Sequence, residues 1–264
     1  MRSKNPFLVI RKHHFPLAFS AGLLSFSLPF IKEKNALLSL FIALAVLLAY
    51  NCHHLSKLFW KNKDTTNNRK DLIPILFLCV ISLVGLSYFL SALHFRVFSI
   101  YALILLAILA ISYSILQGKS SIRTIPYLKA FIIAFSWTLL CCVLPMYNAA
   151  EPHWKAGIFS IFFFVLAVIS DFRDKKSDPI SLKTIPQVLS FKMLKMLIYV
   201  LLAVFTCLNL CLFGWPFFVA AILSSIVLLY YFRQFYSASK TLYTDRSIFV
   251  FAFVSLLLQV IFAS

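Results

Sequence analysis

The sequence predicts an all-α integral membrane protein with nine transmembrane helices, and three observations carry that prediction. Of the 264 residues, 62% are hydrophobic and 12% charged, with a mean hydropathy of +0.92, whereas soluble domains average about 45–50% apolar and about 25% charged. Apolar runs of 17–23 residues recur along the chain, the length needed to cross a hydrocarbon core about 30 Å thick. All but four of the 25 Lys and Arg fall at the N-terminus or on alternate inter-span loops, as membrane topology requires.

The nine spans read as Phe15–Ile31, Asn35–Lys57, Asp71–Leu93, Arg96–Gln117, Ile125–Pro145, Lys155–Asp171, Lys192–Leu212, Trp215–Arg233 and Ser247–Ser264. The first follows Arg11 and Lys12, as a signal peptide would. No small-residue cleavage site comes after it and eight further spans do, so it is read as a span. The six cysteines (Cys52, Cys79, Cys141, Cys142, Cys207, Cys211) lie within or at the ends of apolar runs, where they act as small packing residues and imply no disulfide framework. The 29 Phe suit packing and lipid-facing positions.

The formal net charge of +17 orients the chain. Basic residues concentrate at the N-terminus and after spans 2, 4, 6 and 8, and the exceptions are Lys32, Lys34, Arg96 and Lys155. The positive-inside bias therefore places the N-terminus in the cytoplasm and the C-terminus outside, in the cell (inner) membrane if the source is bacterial. Because topology accounts for this charge, nucleic-acid binding is excluded as its purpose.

No linker or Gly/Ser tract interrupts the spans, so residues 1–264 form a single polytopic membrane domain. The longest polar interruptions, Lys57–Lys70 and Phe172–Ser190, lie four spans apart on the same side. This layout suggests two four-helix halves plus a ninth helix, with membrane lipid as the surrounding partner.

Three of the eight carboxylates fall in one stretch, Asp171, Asp174 and Asp178, where span 6 runs out into a basic loop. Spacings of i, i+3 and i+7 lie within roughly 80° on an α-helix, so the three share a face. Carboxylates at a membrane helix end need a partner, and Mg²⁺ takes one or two of them together with substrate phosphates. Such a cation would bridge to a diphosphate and draw charge as a C–O bond breaks. The plain alternative is a solvated helix end in which the aspartates pair with Arg173, Lys175 and Lys176.

Asp171-x-x-Asp174-x-x-x-Asp178 followed by Thr184-x-Pro186 resembles the second aspartate motif of the UbiA superfamily of intramembrane prenyltransferases. Ser177 stands at the motif's usual Gly and Pro179 at its usual Arg. Tyr113-Ser114, Lys119, Arg123 and Pro126-Tyr-Leu-Lys129 resemble the family's segment leading into helix 5. The likeness is motif-grade over residues 113–137 and 170–190, and elsewhere is one of layout.

The resemblance implies a nine-helix UbiA-like bundle and a reaction that transfers a prenyl group from a prenyl diphosphate to a lipophilic, aromatic or other acceptor. It also implies catalytic, Mg²⁺-holding roles for Asp171, Asp174 and Asp178, and substrate contacts at Lys119, Arg123 and Asn51; His54, on the helix face of Asn51, is a further candidate substrate contact. The family's first motif, Asn-x-x-x-Asp-x-x-x-Asp, would begin at Asn51, but Leu55 and Phe59 stand where its carboxylates belong. Asn51 and His54 share a helix face there without supplying negative charge.

Walker A, Gly-x-Ser-x-Gly, Cys-x-x-Cys and His-Glu-x-x-His patterns are absent from the sequence, and five Gly provide no phosphate cradle. Two other readings stay open: a UbiA-fold protein that binds an isoprenoid or a partner without ionising it, and a small-solute transporter. His53 with His54, and His13 with His14, read as interfacial caps and membrane-surface residues. Trp137 and Tyr147 are candidate lumen aromatics for an allylic cation.

Overall fold

A computed structural model describes residues 14–28, 35–61, 69–93, 97–114, 125, 127–146, 154–175, 182–237 and 246–263. Every regular element among them is helical: α1 (Phe15–Ser27), α2 (Ala36–Lys61), α3 (Arg69–Ala92), α4 (Val97–Ser114), α5 (Leu128–Thr138), α6 (Trp154–Asp174), α7 (Ile185–Val188), α8 (Phe191–Phe213), α9 (Trp215–Ser237) and α10 (Arg246–Ala263). Each expected span coincides with one of these helices, leaving α7 as the unforeseen element.

Six helices are long and apolar enough to cross a membrane: α2, α3, α5 with its continuation to Met146, α6, α8 and α9. The apolar stretches of α1, α4 and α10 are shorter. The protein is thus an all-helical, multi-pass membrane protein, with six such helices among the described residues.

The expected continuous fifth span is broken. After Thr138 the α-helix widens into a π-turn over Leu139–Val143, where the Leu144 N–H bonds the Leu139 carbonyl, and then tightens into a 3₁₀ turn over Leu144–Met146. Pro145, which has no N–H and crowds the preceding turn, is the residue in that stretch that opposes regular α-geometry.

Neighbours in sequence pack as neighbours in space, α1 on α2 on α3 and α5 on α6. Helix α6 also meets α8, which meets α9. Helix α10 closes the ring by packing on both α9 and α1. The Gln259 amide of α10 donates to the Ser27 carbonyl at the end of α1 over 2.8 Å.

The α1–α2 seam is built from small residues, as close membrane helix pairs are. A Cβ on Gly22 would lie 2.7 Å from the Ser39 carbonyl oxygen and 3.2 Å from the Ala43 Cβ. Beside it the Ser25 hydroxyl donates to that of Ser39.

Helix α6 is the most enclosed of the six long helices. Its Phe159 and Phe162 join Phe205 of α8 and Phe251 of α10 in a packed aromatic core, with ring centroids 5.2–6.2 Å apart. These contacts fall in the range favoured by offset and edge-to-face aromatic pairs, so side chains fill the middle of the bundle.

Polar groups inside the apolar helices return to their own backbone. Asn51 and Asn209 each donate an amide N–H to the carbonyl four residues earlier, at 2.8 Å, and Thr138 and Thr206 do the same with their hydroxyls. In hydrocarbon, where water offers no alternative, this is the cheapest way to satisfy such a donor.

Candidate functional site

The chain enters α5 through Tyr127, whose backbone is left-handed (φ 64°), and places Lys129 in the helix's first turn. The Tyr127 N–H donates to the Lys183 carbonyl across 3.3 Å, and Lys183 is itself left-handed (φ 43°). Two non-glycine residues held at positive φ and bonded to each other mark a junction that the surrounding structure over-determines.

Just past Lys183, Thr184-Ile-Pro186-Gln187 folds into the single turn of α7. The Gln187 side-chain carbonyl accepts from the Thr184 N–H at 2.9 Å, and Pro186 sits in the first turn, where no N–H is missed. Gln187 and Pro186 therefore have a local job: the one caps and the other starts a helix that packs on α6 and α8.

Against this junction the structure sets a buried ion pair. Lys129 Nζ lies 2.6 Å from Asp171 Oδ1. Both residues are enclosed, with 7% and 2% of their surface exposed. Neither charge would be tolerated alone at this depth, and together they are neutral.

Asp174, one turn on, behaves differently. Its two oxygens accept from Arg173 at 2.7 and 2.9 Å, with 38% of its side chain exposed. That is the solvated helix end of the plain reading, realised at Asp174 and not at Asp171.

The shared face expected of Asp171, Asp174 and Asp178 is thus divided between an internal and an external partner. Helix α6 ends at Asp174, and Asp178, Lys119 and Arg123 lie outside the described residues. Among the described residues, no three His, Cys, Asp or Glu side chains group as metal ligands would.

Deeper in the bundle, an aromatic chain links α5 and α6 to α2. Tyr50 lies 6.5 Å from Trp137 of α5, which lies 5.5 Å from Phe163 of α6. Trp137 and Phe163 are each eight residues from the paired charges on their own helices, so this layer sits about 12 Å deeper along the axes.

Asn51, next to Tyr50, belongs to that deeper layer and is fully buried, its amide turned to Leu47. His54 follows on the same helix and is half-buried. His53 lies 5.6 Å from Tyr113 of α4, and His14 lies half-buried, 5.0 Å from Tyr50. Trp137 is buried among rings, and Tyr147 is outside the described residues.

On the flank of the same helices runs a groove of about 940 Å³, open to the side and walled by Phe131, Phe135, Ile161, Phe164, Leu197 and Leu201, with Tyr127 at its end.

Lys129 is the residue that sequence reasoning quoted in the segment entering the fifth span but did not name as a site residue. The signal was present: a cation in the first turn of one apolar helix and a carboxylate at the inner edge of the next helix's last turn can neutralise each other in a membrane.

No family model matches the chain, and no curated protein or solved structure matches it either. The likeness to UbiA rests on the motif residues alone.

Proposed function

We propose that the chain is a UbiA-type membrane prenyltransferase with nine spans in two four-helix halves plus a closing helix. On this reading the N-terminus is cytoplasmic, and a cytoplasm-facing site forms where α5, α6 and α7 meet. A prenyl group would pass from a prenyl diphosphate to a lipophilic acceptor.

The observation that carries the reading is a convergence. The two segments whose residues resemble the family join through Lys129–Asp171 and Tyr127–Lys183, pairs more than forty positions apart in sequence. The reacting C–O bond would break with its electron pair leaving on the diphosphate oxygen, and the acceptor would attack the allylic carbon and then lose a proton. The chain's part is to place cations against the departing charge, with Lys119 and Arg123 as proposed contacts, and to keep the carbocation in a water-poor bilayer setting.

The Mg²⁺ that the resemblance implies does not fit the described carboxylates as a set. Asp171 is held by Lys129 through Oδ1, and Asp174 is held by Arg173 on the exposed side. No step is routed through the ion.

These own-chain partners, together with Leu55 and Phe59 at the first motif's carboxylate positions, favour one second reading: a UbiA-type protein that binds an isoprenoid diphosphate without cleaving it.

The experiment is pyrophosphate release from prenyl diphosphates of several lengths by the purified full chain with a mixture of lipophilic acceptors. It is run with and without Mg²⁺, beside an Asp174→Asn/Asp178→Asn variant. Release by the parent that disappears in the variant supports transfer. Retained binding without release at any length, in folded protein, supports the second reading, and neither binding nor release overturns both.

A further inference from the structure

We propose that Lys129 is the permanent counter-cation of Asp171, occupying the place at this carboxylate that a metal ion would otherwise take. The inference deepens the prenyl-diphosphate reading and rests on it only for the name of the ligand.

Lys129 Nζ sits 2.6 Å from Asp171 Oδ1. A Mg²⁺ ligated by that oxygen would stand about 2.0–2.1 Å from it, within about 5 Å of the ammonium whichever side it approached from, and would meet a like charge there. Drawing Asp171 away from Lys129 would disrupt a buried ion pair, which costs far more than a surface exchange of partners.

The ammonium is also held in position by the fold. Lys129 sits in the first turn of α5, whose entry is tied by Tyr127 N–H to the Lys183 carbonyl and by Leu128 N–H to the Ile125 carbonyl, each at 3.3 Å. The cation thus comes with the chain and is locked to the segment that follows Asp171. The missing carboxylates at Leu55 and Phe59 agree with this: a site with a built-in cation needs fewer acidic groups to balance it. At Asp171 this end of the bundle is indifferent to divalent cations.

Mn²⁺ binding to the purified full chain in lipid nanodiscs, read from the electron paramagnetic resonance signal of the free ion, tests this directly. The chains compared are the wild type, Lys129→Met, Asp171→Asn and Lys129→Met/Asp171→Asn. Asp171→Asn is expected to leave Mn²⁺ affinity unchanged. Lys129→Met is expected to raise it about tenfold or more by removing the ammonium from Asp171 Oδ1, and the double variant to return it to the wild-type value.

An affinity about tenfold weaker in Asp171→Asn than in wild type, or no gain in folded Lys129→Met, overturns the proposal. If either single variant fails to fold, the charge-neutral double decides: equal Mn²⁺ binding to wild type supports the built-in cation, and a loss overturns it. None of these readouts needs turnover or a prenyl diphosphate, so failure of the transferase reading leaves this result standing, and the reverse also holds.

Discussion

Lys129 and Asp171 make a pair whose energetics differ in kind from those of Arg173 and Asp174. Breaking a buried pair from one side leaves a bare charge, at about 3–5 kcal/mol, whereas replacing both partners by neutral groups of similar volume is near neutral. Lys129→Met and Asp171→Asn should therefore each destabilise by that order, and the double variant should recover most of the loss, as read by denaturant unfolding in detergent. Asp174→Asn, at an exposed pair, should change stability by about 1 kcal/mol or less. Singles that cost no more than Asp174→Asn would mean that water reaches the Lys129 pair. The sequence displayed all four residues, but their spacing only says that Asp171 and Asp174 share a helix face. It says nothing of which flank of that face meets α5. That choice is made by the rotation of α6 against its neighbour, which is a packing outcome.

At the scale of elements, helix positions were legible because apolar run length is a local property set by the bilayer, and the expected boundaries of spans 7 and 8 fall within a few residues of α8 and α9. Where local chemistry was overlooked, the reading failed locally. Thr184-Ile-Pro186-Gln187 carries a capping-box pattern, and α7 forms there. The break in the fifth span at Leu139–Val143 lies just before Pro145, a residue whose effect on helices is well understood. Close approach of two helices is harder to read, since a glycine in an apolar run has no unique meaning. At Gly22 the structure supplies one: an added Cβ would lie 2.7 Å from a backbone oxygen that has no flexible end to move. Gly22→Ala should cost about 1–3 kcal/mol by forcing α1 away from α2. Gly157, where a Cβ meets nothing within 4 Å, is the control, and its Ala variant should unfold no earlier than the parent. A neutral Gly22→Ala would show that the seam is looser than described.

For the whole molecule, the count of spans decides sidedness, because an odd number puts the termini on opposite faces and an even number on the same face. The proposed nine spans predict that an N-terminal tag is protected and a C-terminal tag accessible to an impermeant label applied outside intact cells. Labelling of both or of neither would instead fit the six long helices alone, or another even count. Helix α10 and its Gln259–Ser27 hydrogen bond matter here, since they join the last helix to the first.

Taken by itself, the sequence determined that this is a multi-pass helical membrane protein, where its helices run, and which stretch concentrates its carboxylates, because each of these depends on composition and on spacing along one segment. Only the tertiary structure decided that Asp171 is internal and Asp174 exposed, what pairs with each, and that phenylalanines fill the bundle's centre. Those are contacts between segments far apart in the chain, and a buried charge is defined by the partner that folding brings to it.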